Sequence, residues 1–250
     1  MGATHLLFHN QGRGKPIGGG IETYIDKILK LSPIAYWPLN ELNGTTAVNL
    51  ISSTMNGTYA RDVATMGTIT GIGDGGTAPV FDATNDRINI QTVALTTAFA
   101  SAAAIGWLAS WGQVSGAGVW TDSTKRTAII LHVDGENRNY IEKYSDDNEV
   151  RYFRRAGNSP ELYDYTTAAP TNWFHLCITW NYSLDTINYY YDGAPIATDG
   201  GLVAWVGALT ISVIGAASTL PAQPWSGSLA HVVIGAGTIS NANILTMASV

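Results

Sequence analysis

Charge is scarce in this sequence. Of 250 residues, 13 are Lys or Arg and 19 are Asp or Glu, giving 13% charged residues and a formal net charge of −6. A general nucleic-acid binder needs a basic stripe to displace counterions from phosphates, so this balance argues against nucleic acid as a partner. The one local basic cluster, Arg151, Arg154 and Arg155, is diluted by Glu149 and Glu161. Cysteine is nearly absent. Cys177 stands alone, which excludes an intrachain disulfide framework and a Cys-based zinc site. It sits in the apolar run 174–180 and reads as a small core residue rather than a nucleophile. No apolar run reaches the roughly 18 residues that a membrane-spanning helix needs. The opening MGATHLLFHNQGRGK lacks the basic segment and apolar stretch of a secretory signal. The expectation is a chain made in a cytoplasm, with no membrane partner.

Catalytic patterns are missing as well. There is no Gly-x-Ser-x-Gly, no His-Glu-x-x-His and no P-loop. The glycine-rich stretch Gly71–Gly76 precedes no helix, so it reads as a loop and not as a phosphate cradle. Glycoside hydrolysis needs two carboxyls held at a fixed separation across the scissile bond. The nearest group, Glu142, Asp146, Asp147 and Glu149, mixes both faces of a strand, and Ser145-Asp-Asp-Asn148 reads as a hairpin loop. The histidines His5, His9, His132, His175 and His231 form no pair at metal-ligand spacing. The expectation is therefore not an enzyme, with no cofactor.

What the sequence does contain is glycine, hydroxyl residues, β-branched residues and aromatics. Residues 1–20 read as a glycine-rich arm carrying Arg13 and Lys15, too polar to order itself alone. Residues 21–31 follow as an amphipathic helix, with Ile21, Tyr24, Ile25, Ile28 and Leu29 on one face and Ser32-Pro33 ending it. A helix of about three turns is marginal by itself, so its apolar face must dock. Its own sandwich and a neighbouring subunit are the two surfaces available. From residue 34, short runs rich in Ile, Val, Thr, Tyr and Trp alternate with turn residues. They predict strands at 34–39, 46–50, 56–60, 79–82, 86–91, 103–111, 127–134, 138–144, 149–155, 173–180, 186–192, 195–198, 208–214 and 227–234. Strands without intervening long helices predict an all-β, antiparallel β-sandwich preceded by the arm and one short helix. Two units follow: 1–32 as an anchoring arm and helix, and 33–250 as the sandwich. Asp192-Gly193 predicts a tight hairpin turn, and so a structural aspartate.

Six segments occur in an order that resembles a known family: AYWPLNE (35–41), NGTY (56–59), APVFDATNDRINI (78–90), NWFHLCITWN (172–181), INYYYDGAPIAT (187–198) and WSGSLAHVVIGAGTISNANI (225–244). Together they resemble the laminin-G-like, concanavalin A-like lectin/glucanase jelly roll. The opening ETYIDKILKLSPIAYWPLNE also resembles tailed-bacteriophage virion proteins that carry this domain. The resemblance implies a concanavalin A-like jelly roll in which Trp37, Trp173 and Trp180 fill the space between two sheets. Relatives often close on Ile-Asp-Glu-Val, and the acidic pair helps bind a structural calcium. Here the stretch is Leu229-Ala230-His231-Val232. Asp82, Asn85 and Asp86 remain as calcium ligands, but a hard cation needs more oxygens at one point, and no metal is the expectation.

Lectin-like sandwiches stack sugars on loop aromatics. Trp120, in the loop 112–124, Tyr163 and Tyr165, after Asn158-Ser-Pro160, and Trp205, between Gly201 and Gly207, are the candidates for ligand binding. The sequence thus reads as a phage virion structural protein, a capsid decoration or fibre-type subunit displaying a lectin-like domain. Arg13, Lys15, Ile21, Tyr24, Ile25 and Ile28 are its expected anchor to other virion proteins. The alternatives are a carbohydrate-binding adhesion module and, less well supported, a glycoside hydrolase. Other copies of the chain and glycans are the remaining expected partners.

Overall fold

The computed structural model describes residues 22–60, 66–67, 69–145, 147–219 and 222–250. In chain order these form α1 (Tyr24–Lys30), β1 (Ala35–Trp37), β2 (Thr46–Ala47), β3 (Gly57–Ala60), β4 (Ile69–Thr70), β5 (Thr77–Ala78), β6 (Val80–Asp82), β7 (Arg87–Asn89) and α2 (Val93–Phe99). Next come β8 (Ile105–Val114), β9 (Arg126–His132), β10 (Arg138–Tyr144), β11 (Glu149–Ala156), β12 (Ser159–Thr166) and β13 (Phe174–Asn181). The chain ends with β14 (Thr186–Tyr191), β15 (Ala194–Asp199), β16 (Ile211–Ile214), β17 (Ser226–Ala236) and α3 (Asn241–Met247).

Two antiparallel sheets face each other, as expected. One runs β1-β17-β8-β13-β14-β15, with β6 also on β17; the other runs β12-β11-β10-β9-β16-β7-β3-β2. Alternation along each strand sends every second residue inward, so pairing register lines residues up in rows. In the eight-stranded sheet one inward row is Tyr163, Tyr152, Ile141, Ile129, Ile214, Ile88 and Tyr59. Opposite it, the other sheet offers Ala35, Ile234, Leu108, Ile178, Tyr189 and Ala197. These rows form the main core. Trp37 and Trp180 lie in it as expected, and their indole N–H groups donate to Met55 O (3.0 Å) and Ala102 O (2.8 Å). Trp173 does not: it is half-buried on the outside of the β13 sheet, in a second apolar cluster.

That second cluster explains the helices. The outward row Tyr36, Val233, Ala109, Cys177 and Tyr190 is apolar across five strands and would be costly to leave in water. α1 and α3 cover it with Tyr24, Ile28, Ile244 and Met247. Thr23 caps α1 and forms a reciprocal box with Asp26. Tyr24 Oη donates to Met247 O at 2.5 Å and accepts from Trp111 Nε1 at 2.8 Å. Of the expected anchor to other proteins, Tyr24 and Ile28 are therefore buried on this chain's own sheet, and Ile25 packs beside them. This corrects their assignment, because the apolar row beneath needs the helix more than a partner does. Arg13, Lys15 and Ile21 lie outside the described residues. Trp107 crosses this face so closely to Gly235 that a Cβ there would sit 1.9 Å from its Cε2.

Asp192 (φ 48°) and Gly193 (φ 77°) form the expected hairpin turn, and the Asp192 carboxylate accepts the His175 N–H at 2.7 Å. Strand β12 and helices α2 and α3 were not expected.

Candidate functional site

Among the described residues no helix covers the outer face of the eight-stranded sheet, and its outward rows carry chemistry. One row is apolar and aromatic: Leu162, Phe153, Tyr140, Ile130 and Val213. Tyr140 stacks on Phe153 with ring centres 4.5 Å apart and planes 8° apart. On one side runs a charged row, Asp164, Arg151, Glu142 and Thr127; on the other runs Arg155, Arg138, His132 and Ile211. Between them lies a shallow pocket of about 390 Å³, lined by Arg138, Tyr140 and Glu142 of β10, Thr127, Ile130 and His132 of β9, and Lys125 and Gln223 from flanking segments.

The pocket's electrostatics are unusual. Glu142 is 3% exposed, and among the described residues no cation is ion-paired with it. Burial pushes its carboxyl up to about 7, against the opposing pull of Lys125 and Arg151. Arg138 lies over the Phe153 ring, its centre 5.2 Å away, and its Nε is buried without a hydrogen-bond partner. His132 Nδ1 is buried and unpartnered too. Burial, aided by Arg138, holds that imidazole below its ordinary value, so the ring is neutral at neutral pH. Lys125 lies over Tyr144 at 4.4 Å. Asp164, the carboxyl nearest Glu142 in its row, gives both oxygens to Arg151 at 2.7 Å each. Among the described residues, Glu142 thus faces the pocket without a second free carboxyl beside it. Here a stacked aromatic adjoins hydrogen-bonding groups still lacking partners, the combination that holds a polar, flat-faced ligand.

The aromatics expected to bind ligand lie elsewhere. Trp120 is fully buried: a short helical turn (Ala117–Thr121) folds it inward, where Nε1 donates to Pro170 O at 2.8 Å and the ring meets Phe174. Tyr163 and Tyr165 sit on β12, not in a loop, and point between the sheets against Tyr189 and Tyr191. Trp205 packs edge-on to Phe99 and over buried Arg154. All four seal the core's margin, so none forms a ligand platform. The arginine cluster divides by strand alternation. Arg151 and Arg155 face outward, paired with Asp164 and Glu136, while Arg154 is buried between Trp180 and Trp205. Asp82 and Asp86 spend carboxylate oxygens on turn amides: Asp82 Oδ1 accepts from Thr84 N (2.7 Å), and Asp86 Oδ2 from Asp82 N (3.1 Å). No group of three or more His, Cys, Asp or Glu side chains is placed to hold a metal among the described residues.

A second polar cluster lies under α1. At a bulge in β17, His231 adopts φ 50° and turns its ring onto the covered face. Nε2 meets Asp74 Oδ2 at 3.0 Å, and Nδ1 meets the Tyr36 hydroxyl at 2.6 Å. The His231 hydrogen bond holds the Asp74 carboxyl below its ordinary range. His231, Asp74 and Tyr36 are all engaged, while His175 beside them is buried with its Nδ1 unpartnered. The cluster also uses the glycine-rich loop 71–76, which delivers Asp74. Sequence reading missed Tyr140, Glu142 and Arg138 as a site. The signal was the alternation Arg-Asn-Tyr-Ile-Glu in 138–142, which puts those three on one face.

Comparisons with known proteins agree with the architecture. No curated protein matches the chain. Among solved structures, domain 4 of AbnA, a GH43 extracellular arabinanase from Geobacillus stearothermophilus, in complex with arabinotriose, aligns at a TM-score of 0.61 and 14% identity, over 87% of this chain and 98% of that one. The receptor binding domain of botulinum neurotoxin C/D mosaic serotype aligns at 0.67 and 14% identity, over 87% of this chain but only 51% of that one. The Ruminococcus gnavus IT-sialidase CBM40 bound to alpha2,3 sialyllactose aligns at 0.51 and 11% identity, over 61% of this chain and 86% of that one. At these identities the likeness is one of fold. The sequence itself matches a family over residues 110–245, more than half its length, and with the two-sheet architecture this places it: the chain belongs to the Concanavalin A-like lectin/glucanases superfamily.

Proposed function

We propose that this chain is a non-catalytic, lectin-like domain that binds saccharide on the open face of its eight-stranded sheet, in the pocket between Tyr140, Glu142 and Arg138. One observation carries the reading: on the only large sheet face without a helical cover among the described residues, a stacked aromatic borders two buried nitrogens without hydrogen-bond partners, Arg138 Nε and His132 Nδ1, and a buried carboxyl without an ion pair, Glu142. Stacking on the ring and hydrogen bonds to hydroxyls are what a sugar asks of a protein surface. Saccharide complexes of two structures that share the fold support the reading. With no free carboxyl neighbour to Glu142 among the described residues, the pocket binds rather than hydrolyses. The test is an immobilised-glycan screen of the pure protein. Signal on some glycans, abolished in Tyr140→Ala and retained in Trp205→Ala, is the expected result. Retention in Tyr140→Ala and loss in Trp205→Ala would move the site to the sandwich margin.

The resemblance of residues 22–41 to phage proteins favours a setting for this domain: a virion subunit, anchored by residues 1–20 to other virion proteins. Deleting residues 1–20 is expected to abolish particle incorporation and leave the sandwich folded. Normal loading of the truncated chain would remove that setting and leave the glycan reading intact.

A further inference from the structure

We propose that the pocket on the eight-stranded sheet selects an anionic sugar, one bearing a carboxylate, which Arg138 and Lys125 bind while its ring lies against Tyr140. The inference rests on the glycan-binding reading and names its ligand class.

The argument is one of unmatched charge. Arg151 and Arg155, the outward arginines of β11, each hold a carboxylate. Arg138 and Lys125, the two cations that line the pocket, hold none among the described residues. A half-buried guanidinium with an unpartnered Nε, fixed on the Phe153 ring, is a fork awaiting a planar anion. The protein as a whole carries −6, so general attraction does not explain anion binding here; the preference is local. Glu142 completes the selectivity. In its acid form it donates a hydrogen bond to the bound carboxylate; ionised, it competes for the same cations. The groups that set its charge are Lys125, His132, Arg138 and Tyr140 around the pocket, and Arg151, Asp164 and Tyr144 along the sheet. Since burial raises the Glu142 carboxyl, an anionic sugar binds better just below neutrality than above it. A neutral sugar shows no such trend.

The experiment is an array carrying carboxylated and neutral glycans side by side, read at pH 6 and pH 8. The best carboxylated ligand and its carboxyl-reduced form are then titrated by calorimetry. Expected are about tenfold tighter binding of the acidic form, the step one charge-assisted contact supplies, and weaker binding at pH 8 that Glu142→Gln restores. Arg138→Gln is expected to erase the acidic preference. Lys125→Gln, on the segment just before β9, reduces it and serves as the second variant should Arg138→Gln fold poorly. Binding that is equal or better for the carboxyl-reduced form overturns the anionic class and leaves the pocket reading standing. No binding to any glycan overturns both.

Discussion

The two outer faces of this sandwich are built from the same alternating pattern and end in opposite states. On the β13 sheet, the outward row from Tyr36 to Tyr190 is apolar, and two short helices cover it. Of the polar groups trapped there, His231, Asp74, Tyr36 and Tyr24 find one another, and His175 packs edge-on against Trp111 with its Nδ1 unpartnered. On the β10 sheet, the outward rows mix aromatics with ions, no helix among the described residues covers them, Arg138 Nε and His132 Nδ1 lack hydrogen-bond partners, and buried Glu142 has no ion pair among the described residues. Buried polar groups normally have partners because the alternative is costly. An unpaired set on an open face therefore points to a partner from outside, whereas polar groups shut under helices, even the unpartnered His175 Nδ1, are out of a ligand's reach.

Substitutions that separate the faces should show this, and the largest effect belongs to the covered one. Ile28 is fully buried on the inner face of α1, so Ile28→Ala is expected to cost about 2–4 kcal/mol, from lost transfer and the cavity left behind. Urea denaturation would register it, and glycan binding should be unchanged. A cost within experimental error would mean that α1 does not hold this face.

Next come two carboxylates whose pH signatures run in opposite directions. Asp74 has a native pKa below its ordinary value, so its contribution is complete above the unfolded-state value and is lost as pH falls through the native one. Asp74→Asn should therefore cost roughly 1.5–3 kcal/mol at pH 7, the range for a hydrogen bond to a charged group, with the gap closing below about pH 4. Glu142 has a native value near 7, raised above its ordinary one. Between those two values the folded state binds the extra proton, so Glu142 erodes stability as pH rises to 7. Glu142→Gln should then stabilise by on the order of 1–3 kcal/mol at pH 8 and by nothing measurable at pH 4. Denaturation midpoints from about pH 2 to pH 8 read both. Parallel pH profiles for the two variants would erase the contrast between the faces.

Much of this was legible in the sequence, and the failures share a cause. Strands with clear alternation, such as 138–144 and 149–155, were placed within a residue, and Asp192-Gly193 announced its turn. Strand β12 was read as loop because Ser159-Pro160 and two charged residues break the apolar pattern, although Tyr163 and Tyr165 keep the inward beat. Trp120 and Trp205 were misjudged for the reverse reason: glycine-rich surroundings describe the backbone, and say nothing of where an indole turns. The helix could be located, but what it covers depends on strands brought together from residues 36, 109, 177 and 233, a pairing that local composition does not encode. The pocket failed in the same way. Glu142 looked unremarkable next to a hairpin loop until β9 and β11 placed Lys125 and Arg151 near it.

The smallest expected effect is the most telling about function. Tyr140 is half-buried, stacked on Phe153 and bordered by Ile130 and Val213, so it sits in a small apolar cluster of its own. Tyr140→Ala loses part of that stacking, about 0.5–1.5 kcal/mol, and little cavity forms because the side facing the pocket is already open. Its stability cost should fall well below that of Ile28→Ala, by thermal melts run in parallel, while glycan binding disappears. Were the pocket only a surface irregularity, Tyr140→Ala would be a weak version of any core truncation, with stability and binding declining together. A small loss of one with a complete loss of the other separates a residue that holds the fold from one that the fold holds out.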